Sequence, residues 1–230
     1  MSDVATTLDD LLDADLSYAP TYRGYLSNHL SMALIAKATL GAPASVLRAF
    51  ADDYVARLQP RTARTETLTT RTWRGAIGHD ERAEDLTDFF RRALDDGGVD
   101  AVLATTLPTL VAGAGGAAFH GAIRLAYALE HPSDERVAAA LGYFASVAAP
   151  LGPDGPAPVL TSEPSQILSE MRTTGEWTGR SEAQSISAAM TESAAHPHFA
   201  EMTSALAVDE STPAALRTRR SRCSCQLATS

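Results

Sequence analysis

Lysine is almost missing from this chain: Lys37 stands alone among 19 basic residues. That skew reads as genomic composition bias, and no function is drawn from it. Cysteine is as scarce. Cys223 and Cys225 both fall in the last eight residues, so no disulfide framework braces the chain, and a reducing cytoplasm is the expected compartment. No apolar run nears the roughly 18 residues that span a bilayer. The first ten residues, Met1 to Asp10, are acidic where a secretory leader is basic and then apolar. Membrane insertion and export are therefore not expected. HExxH, CxxC and GxSxG do not occur, which removes the signatures of zinc proteases, zinc fingers and α/β-hydrolases. Cys223-x-Cys225 is too closely spaced, and has no partner pair, to serve as a metal site.

Positive charge is short as well. The net charge is −9, and the last twenty residues hold four arginines and no acid, so residues 1–210 carry −13. Such a body repels phosphate backbones, and nucleic acid is not an expected partner.

What is present is helical periodicity. Leu8, Leu11, Leu12 and Leu16 predict a short amphipathic helix. The stretch 28–40 predicts a helix apolar on most sides, with Ser27 as its cap and Gly41 as its left-handed stop. Val46, Leu47, Phe50, Tyr54 and Leu58 repeat the helical spacing. A Thr- and Arg-rich loop over 59–72 precedes a helix over 80–95 that Gly97-Gly98 ends. Residues 99–112 are apolar and fit either helix or strand, and Pro108 limits both. Strong helices are predicted over 117–130 and 134–148. A Pro/Gly-rich linker or rigid loop follows over 150–158, and weaker helices over 163–172, 181–193 and 198–206. Strand-length alternation is essentially absent, so the expected class is all-α, with a helical domain over 1–216. The segment 217–230, rich in Arg, Ser and Cys, cannot bury enough apolar surface to order itself and is expected to be disordered.

Six histidines are the main chemical resource. His29 and His120 each open a strongly apolar helix, where neutral imidazoles can ligate iron, copper or zinc, or can simply be hydrogen-bonded in the core. His120, Arg124 and Tyr127 share one helix face. Arg124 on an apolar stripe needs an anion, either a core carboxylate or a substrate group. Tyr127 reads as a core aromatic with a bonded hydroxyl. His79, His131, His196 and His198 lie at loop-like places and are expected at the surface. A separate signal, Gly113-Ala114-Gly115-Gly116-Ala117-Ala118, fits a permissive G-x-G-x-x-A dinucleotide fingerprint, with Glu130 or Asp134 at ribose-binding distance. Pro108 interrupts the would-be strand before it and no strand–helix alternation follows, and the same run serves simply as a helix–helix connection that permits close packing.

Leu8 to Asp15, Tyr-Arg-Gly-Tyr-Leu-Ser-Asn-His-Leu-Ser-Met-Ala-Leu over 22–34, and Ala-Phe-His-Gly-Ala-Ile-Arg-Leu from 118 resemble the questin oxidase-like family over roughly residues 8–210. The resemblance implies a mainly helical fold. It also implies an oxidoreductase that uses dioxygen for Baeyer–Villiger or ring-opening oxidation of small aromatic polyketides, with NADPH linked to the oxidation and a histidine-ligated non-haem iron. His29 and His120 become the candidate metal ligands. Asn28 and Arg124 would support ligands or substrate, with Arg124 steering an anionic or phenolate group. The familiar facial iron site needs three protein ligands. Family members usually continue into a further histidine-bearing segment, so 217–230 reads as a truncated or frame-shifted end. Two other readings stand beside this one: a non-catalytic helical fragment that is inert or binds a partner, and NADPH binding through residues 113–118. The oligomeric state is left open.

Overall fold

The computed structural model describes residues 2–24, 26–152, 161–173, 181–205 and 207. It divides into two units, residues 1–151 and 152–230. The fold is all-α, as the periodicity predicts.

The first unit opens with α1 (Ser2–Asp15), which runs longer than Leu8–Leu16 indicates. Two short strands follow, β1 (Thr21–Tyr22) and β2 (Leu26–Ser27), paired antiparallel with Tyr22 opposite Leu26. Then come α2 (Leu30–Thr39) and α3 (Ala44–Val55). Gly41 takes φ +85° and ends α2 as expected: its N–H reaches the Ala38 carbonyl, and the Ala42 N–H reaches that of Lys37. The start of α2 differs from expectation. Ser27 is held in β2, and it is Asn28 whose side-chain oxygen accepts the Leu30 N–H at 2.9 Å. Leu8 and Leu12 from α1, Leu30, Leu34 and Ile35 from α2, and Leu47 from α3 bury one another in a first core. Full burial of such side chains contributes roughly 1.5–3 kcal/mol each before entropy is set against it.

A second core lies between α4 (Ala83–Leu110), α5 (His120–Glu130) and α6 (Asp134–Val147). Leu86, Phe90 and Leu94 meet Val137, Leu141 and Phe144, and Trp73 stacks on Phe89 with ring centroids 5.5 Å apart. Gly98, at φ +74° and ψ 169°, breaks α4 into two rods. The residues beyond it are helical, which settles the open assignment for 99–112. Pro108 is tolerated inside the second rod at the loss of one donor to the Ala104 carbonyl. The Thr/Arg-rich loop is fastened to the start of α4 by Asp85, which accepts from the Thr65 and Glu66 N–H groups, the Thr65 hydroxyl and Arg82.

The predicted helix over 117–130 begins three residues late. Ala117, Ala118 and Phe119 have φ of 46°, 52° and 68°, a left-handed turn, and α5 starts only at His120. The reason lies one residue earlier. Gly116 packs so tightly on the end of α6 that a Cβ there would overlap the Val147 carbonyl oxygen. The Ala149 N–H also donates to the Gly113 carbonyl at 2.9 Å.

The second unit contains α7 (Pro164–Thr173), α8 (Ile186–Ala194) and α9 (Phe199–Ser204), close to the three weaker helices predicted. Ser185 caps α8 by accepting the Ala188 N–H. The segment 217–230, with Cys223 and Cys225, and residues 153–158 of the expected linker lie outside the described residues. No described helix is long and apolar enough to cross a membrane.

Candidate metal centre

The two cores meet where α2 and α5 begin, and each delivers one histidine to the junction. His29 immediately precedes α2 and His120 is the first residue of α5. Although 91 residues apart in sequence, their Nε2 atoms lie 2.8 Å apart, with ring planes at 88°.

The far side of each ring is fixed. His29 Nδ1 is 2.7 Å from the Ser27 carbonyl oxygen, and His120 Nδ1 is 2.6 Å from that of Ala117. A carbonyl only accepts, so both Nδ1 atoms carry the proton. In the neutral rings both Nε2 atoms then present lone pairs to each other. Two lone pairs at 2.8 Å repel unless a proton or a metal cation lies between them. Partial desolvation of its ring against the groove wall lowers the pKa of His29 from its ordinary value. The Ser27 carbonyl opposes that shift, and the nearby His120 and Arg124 add to it. The neutral, ligand-competent ring is thereby favoured.

The left-handed turn explains how one of those carbonyls is aimed. Right-handed continuation of α5 would carry Ala117 around the helix, whereas the turn swings its carbonyl onto His120. Three successive non-glycine residues in this region cost roughly 1–2 kcal/mol each, a strain that the packing of 113–116 on α6 sustains.

Beneath the imidazoles lies a buried polar network. Arg124, only 6% exposed, donates from Nη2 to Asp15 at 2.9 Å and from Nη1 to the Asn28 carbonyl at 3.0 Å. Asn28 in turn donates to the other Asp15 oxygen at 2.7 Å. The His29 N–H donates to the Tyr54 hydroxyl, and Ser27 Oγ shares a 2.7 Å hydrogen bond with the Tyr143 hydroxyl. The anion that Arg124 requires is therefore Asp15, the core carboxylate, and the same guanidinium is engaged by a main-chain carbonyl. The sequence reasoning missed Asp15. Its signal was present, because Leu8, Leu12 and Asp15 fall at i, i+4 and i+7 on one stripe.

The imidazoles are not enclosed. They stand at the edge of an open groove of about 370 Å³ walled by Met32, Ala33, Ala36, Ile123 and Tyr127. His29 is exposed along it, where the sequence reading expected a site deep in the helical core. Tyr127 is half-buried and makes no hydrogen bond among the described residues, unlike the bonded core phenol expected.

Within the first unit, neither His79 nor His131 joins the pair. His79 is exposed beside Glu81. His131 is half-buried rather than exposed, and lines a small cavity below Arg124. In the second unit, His196 and His198 are also half-buried, and His198 Nδ1 lies 3.1 Å from Glu201. Among the described residues no three His, Cys, Asp or Glu side chains are grouped to hold a metal ion.

The pair itself fits a cation as two of its ligands. Nitrogens 2.8 Å apart, each about 2.0–2.1 Å from one ion, subtend roughly 85° at it, as adjacent corners of an octahedron do. The dinucleotide fingerprint does not fit its group. A helix and a tight turn, Val111–Gly113, precede it in place of a strand. The space where a side chain would stand on Gly113, Gly115 and Gly116 is filled by residues 147–151 of the same unit. The glycines provide close packing, the other reading of that run.

An all-α protein with two imidazoles turned toward each other at a groove edge and a buried Asp–Arg–Asn brace beneath them is the class this site defines. The family model for questin oxidase-like proteins matches residues 26–229, and the chain belongs to that family. The match includes both histidine motifs. Comparison with curated proteins finds no match. Membership of the family suggests an oxidoreductase.

Proposed function

We propose that this protein oxidises a small, largely apolar aromatic or polyketide compound with dioxygen, at a non-haem iron held by His29 and His120. The observation that supports this reading is the 2.8 Å approach of two Nε2 atoms whose Nδ1 protons are both committed to main-chain carbonyls. When bound, iron supplies the one-electron chemistry that lets dioxygen react with a ring.

The chain's own part is to hold and to exclude. The Ser27 and Ala117 carbonyls keep both ε lone pairs available, and Met32, Ala36 and Ile123 offer an apolar wall against which a flat ligand displaces water. Among the described residues no guanidinium lines that wall, and Arg124 is committed to Asp15 and Asn28. The substrate is therefore read as neutral where it meets the protein, and the steering of an anion by Arg124 is withdrawn from the reading. Insertion of one oxygen atom leaves the second to be reduced to water by two electrons, which NADPH as an external reductant would provide. Ring opening that incorporates both atoms needs no reductant.

Two protein ligands predict weak Fe(II) binding. Iron analysis of protein prepared aerobically and anaerobically, beside a His29→Ala/His120→Ala variant, tests the reading. Iron should be present in the parent and lost in the variant; equal iron in both would overturn it.

A further inference from the structure

Arg124 lies one helical turn beyond His120 on α5, and its guanidinium grips the carbonyl of Asn28, the residue immediately before His29. One side chain thus joins the element that carries one imidazole to the segment that carries the other. Its second arm is anchored on Asp15 at the end of α1. The same carboxylate holds the Asn28 side chain, and that side chain caps α2 through the Leu30 N–H. The Arg124, Asp15 and Asn28 side chains together thus tie the backbone at 28–30 to α5 and to the end of α1.

A buried ion pair is a poor way to gain stability, because two charges must be desolvated to form it. A planar fork with fixed donor directions is, however, a good way to fix a distance. We infer that Arg124 is a positioning residue that sets the separation of the His29 and His120 imidazoles, with Asp15 as its anchor. This rests on the two-histidine reading of the site, and it replaces substrate contact as the role of Arg124.

The test uses the full chain with and without Co(II). The Asp15→Asn/Arg124→Met variant removes both charges together and keeps an oxygen at position 15 to accept from Asn28. Arg124→Lys keeps a charge but cannot bridge two acceptors in a fixed fork. In the metal-free parent, nuclear Overhauser contacts between the two imidazole rings are expected, since the centroids are 4.7 Å apart. In both variants those contacts should vanish, and Co(II) affinity should fall about tenfold or more, with helical circular dichroism unchanged. A folded variant of either kind that keeps the inter-ring contacts and the parental Co(II) affinity overturns the inference. Absence of the contacts in the parent overturns the two-histidine reading itself, so the two failures are distinguishable.

Discussion

Replacing Ala118 by glycine should stabilise this protein. In an ordinary helix the same change costs about 1 kcal/mol, and the helical pattern over 117–130 would assign Ala118 to such a helix. The structure places Ala118 instead at φ 52° and ψ 50°, between two other left-handed residues. Glycine relieves roughly 1–2 kcal/mol of left-handed strain. It also returns roughly 0.4–1 kcal/mol to the unfolded chain as entropy. The net expectation is a gain of about 0.5–1 kcal/mol, or a rise in Tm of roughly 1–4 °C at this chain length. Urea unfolding followed by circular dichroism reads the change as a shift in midpoint at constant slope. A loss near 1 kcal/mol would refute the left-handed turn and, with it, the account of how the Ala117 carbonyl reaches His120.

Acid should act through Asp85. Burial pushes its carboxyl up, but the Glu66 N–H, the Arg82 guanidinium, and the Thr65 N–H and hydroxyl outweigh that and bring it down to about 2. A depressed carboxyl stabilises the fold above its unfolded pKa near 3.9 and ceases to do so as pH falls through about 2. The contribution is about 2.5 kcal/mol at neutral pH. Asp85→Asn should lose that amount at pH 7, with the difference from the parent narrowing between pH 4 and 2; a pH-independent difference would contradict the assignment. Gly115→Val should lower Tm equally with and without NADPH, because a Cβ at residue 115 meets Leu151 atoms at 2.9–3.0 Å. Stabilisation of the parent by NADPH that disappears in the variant would restore the nucleotide reading of residues 113–118.

The all-α class was legible because apolar side chains recur at helical spacing through α1 to α6, and burial follows that spacing. Gly41 was legible as a stop because few other residues take its φ. His29 and His120 were legible as a pair through the Ser-Asn-His-Leu and Phe-His-Gly motifs; periodicity alone left them as ordinary helix-start histidines. The late start of α5 was not legible, since helix propensity at Ala117 and Ala118 points the other way. Tertiary contact between Gly116 and Val147 overrides it. The partner of Arg124 was missed because Asp15 sits in an acidic segment, where three other aspartates, Asp9, Asp10 and Asp13, face outward or toward Arg136. Depth was misjudged for a related reason. Apolar neighbours in sequence predict burial of a histidine, whereas here the apolar residues turn inward and leave His29 at a groove edge.

The central claim is that both imidazoles reach one ion through Nε2 while Nδ1–H stays on a carbonyl. Proton NMR of the Co(II)-loaded protein tests this most directly, because the N–H protons of cobalt-bound imidazoles shift far outside the normal spectral range. Two such resonances that disappear in D2O are predicted, one lost in His29→Ala and the other in His120→Ala. A Co(II) complex with neither resonance, or with a spectrum that either substitution leaves unchanged, would contradict the account.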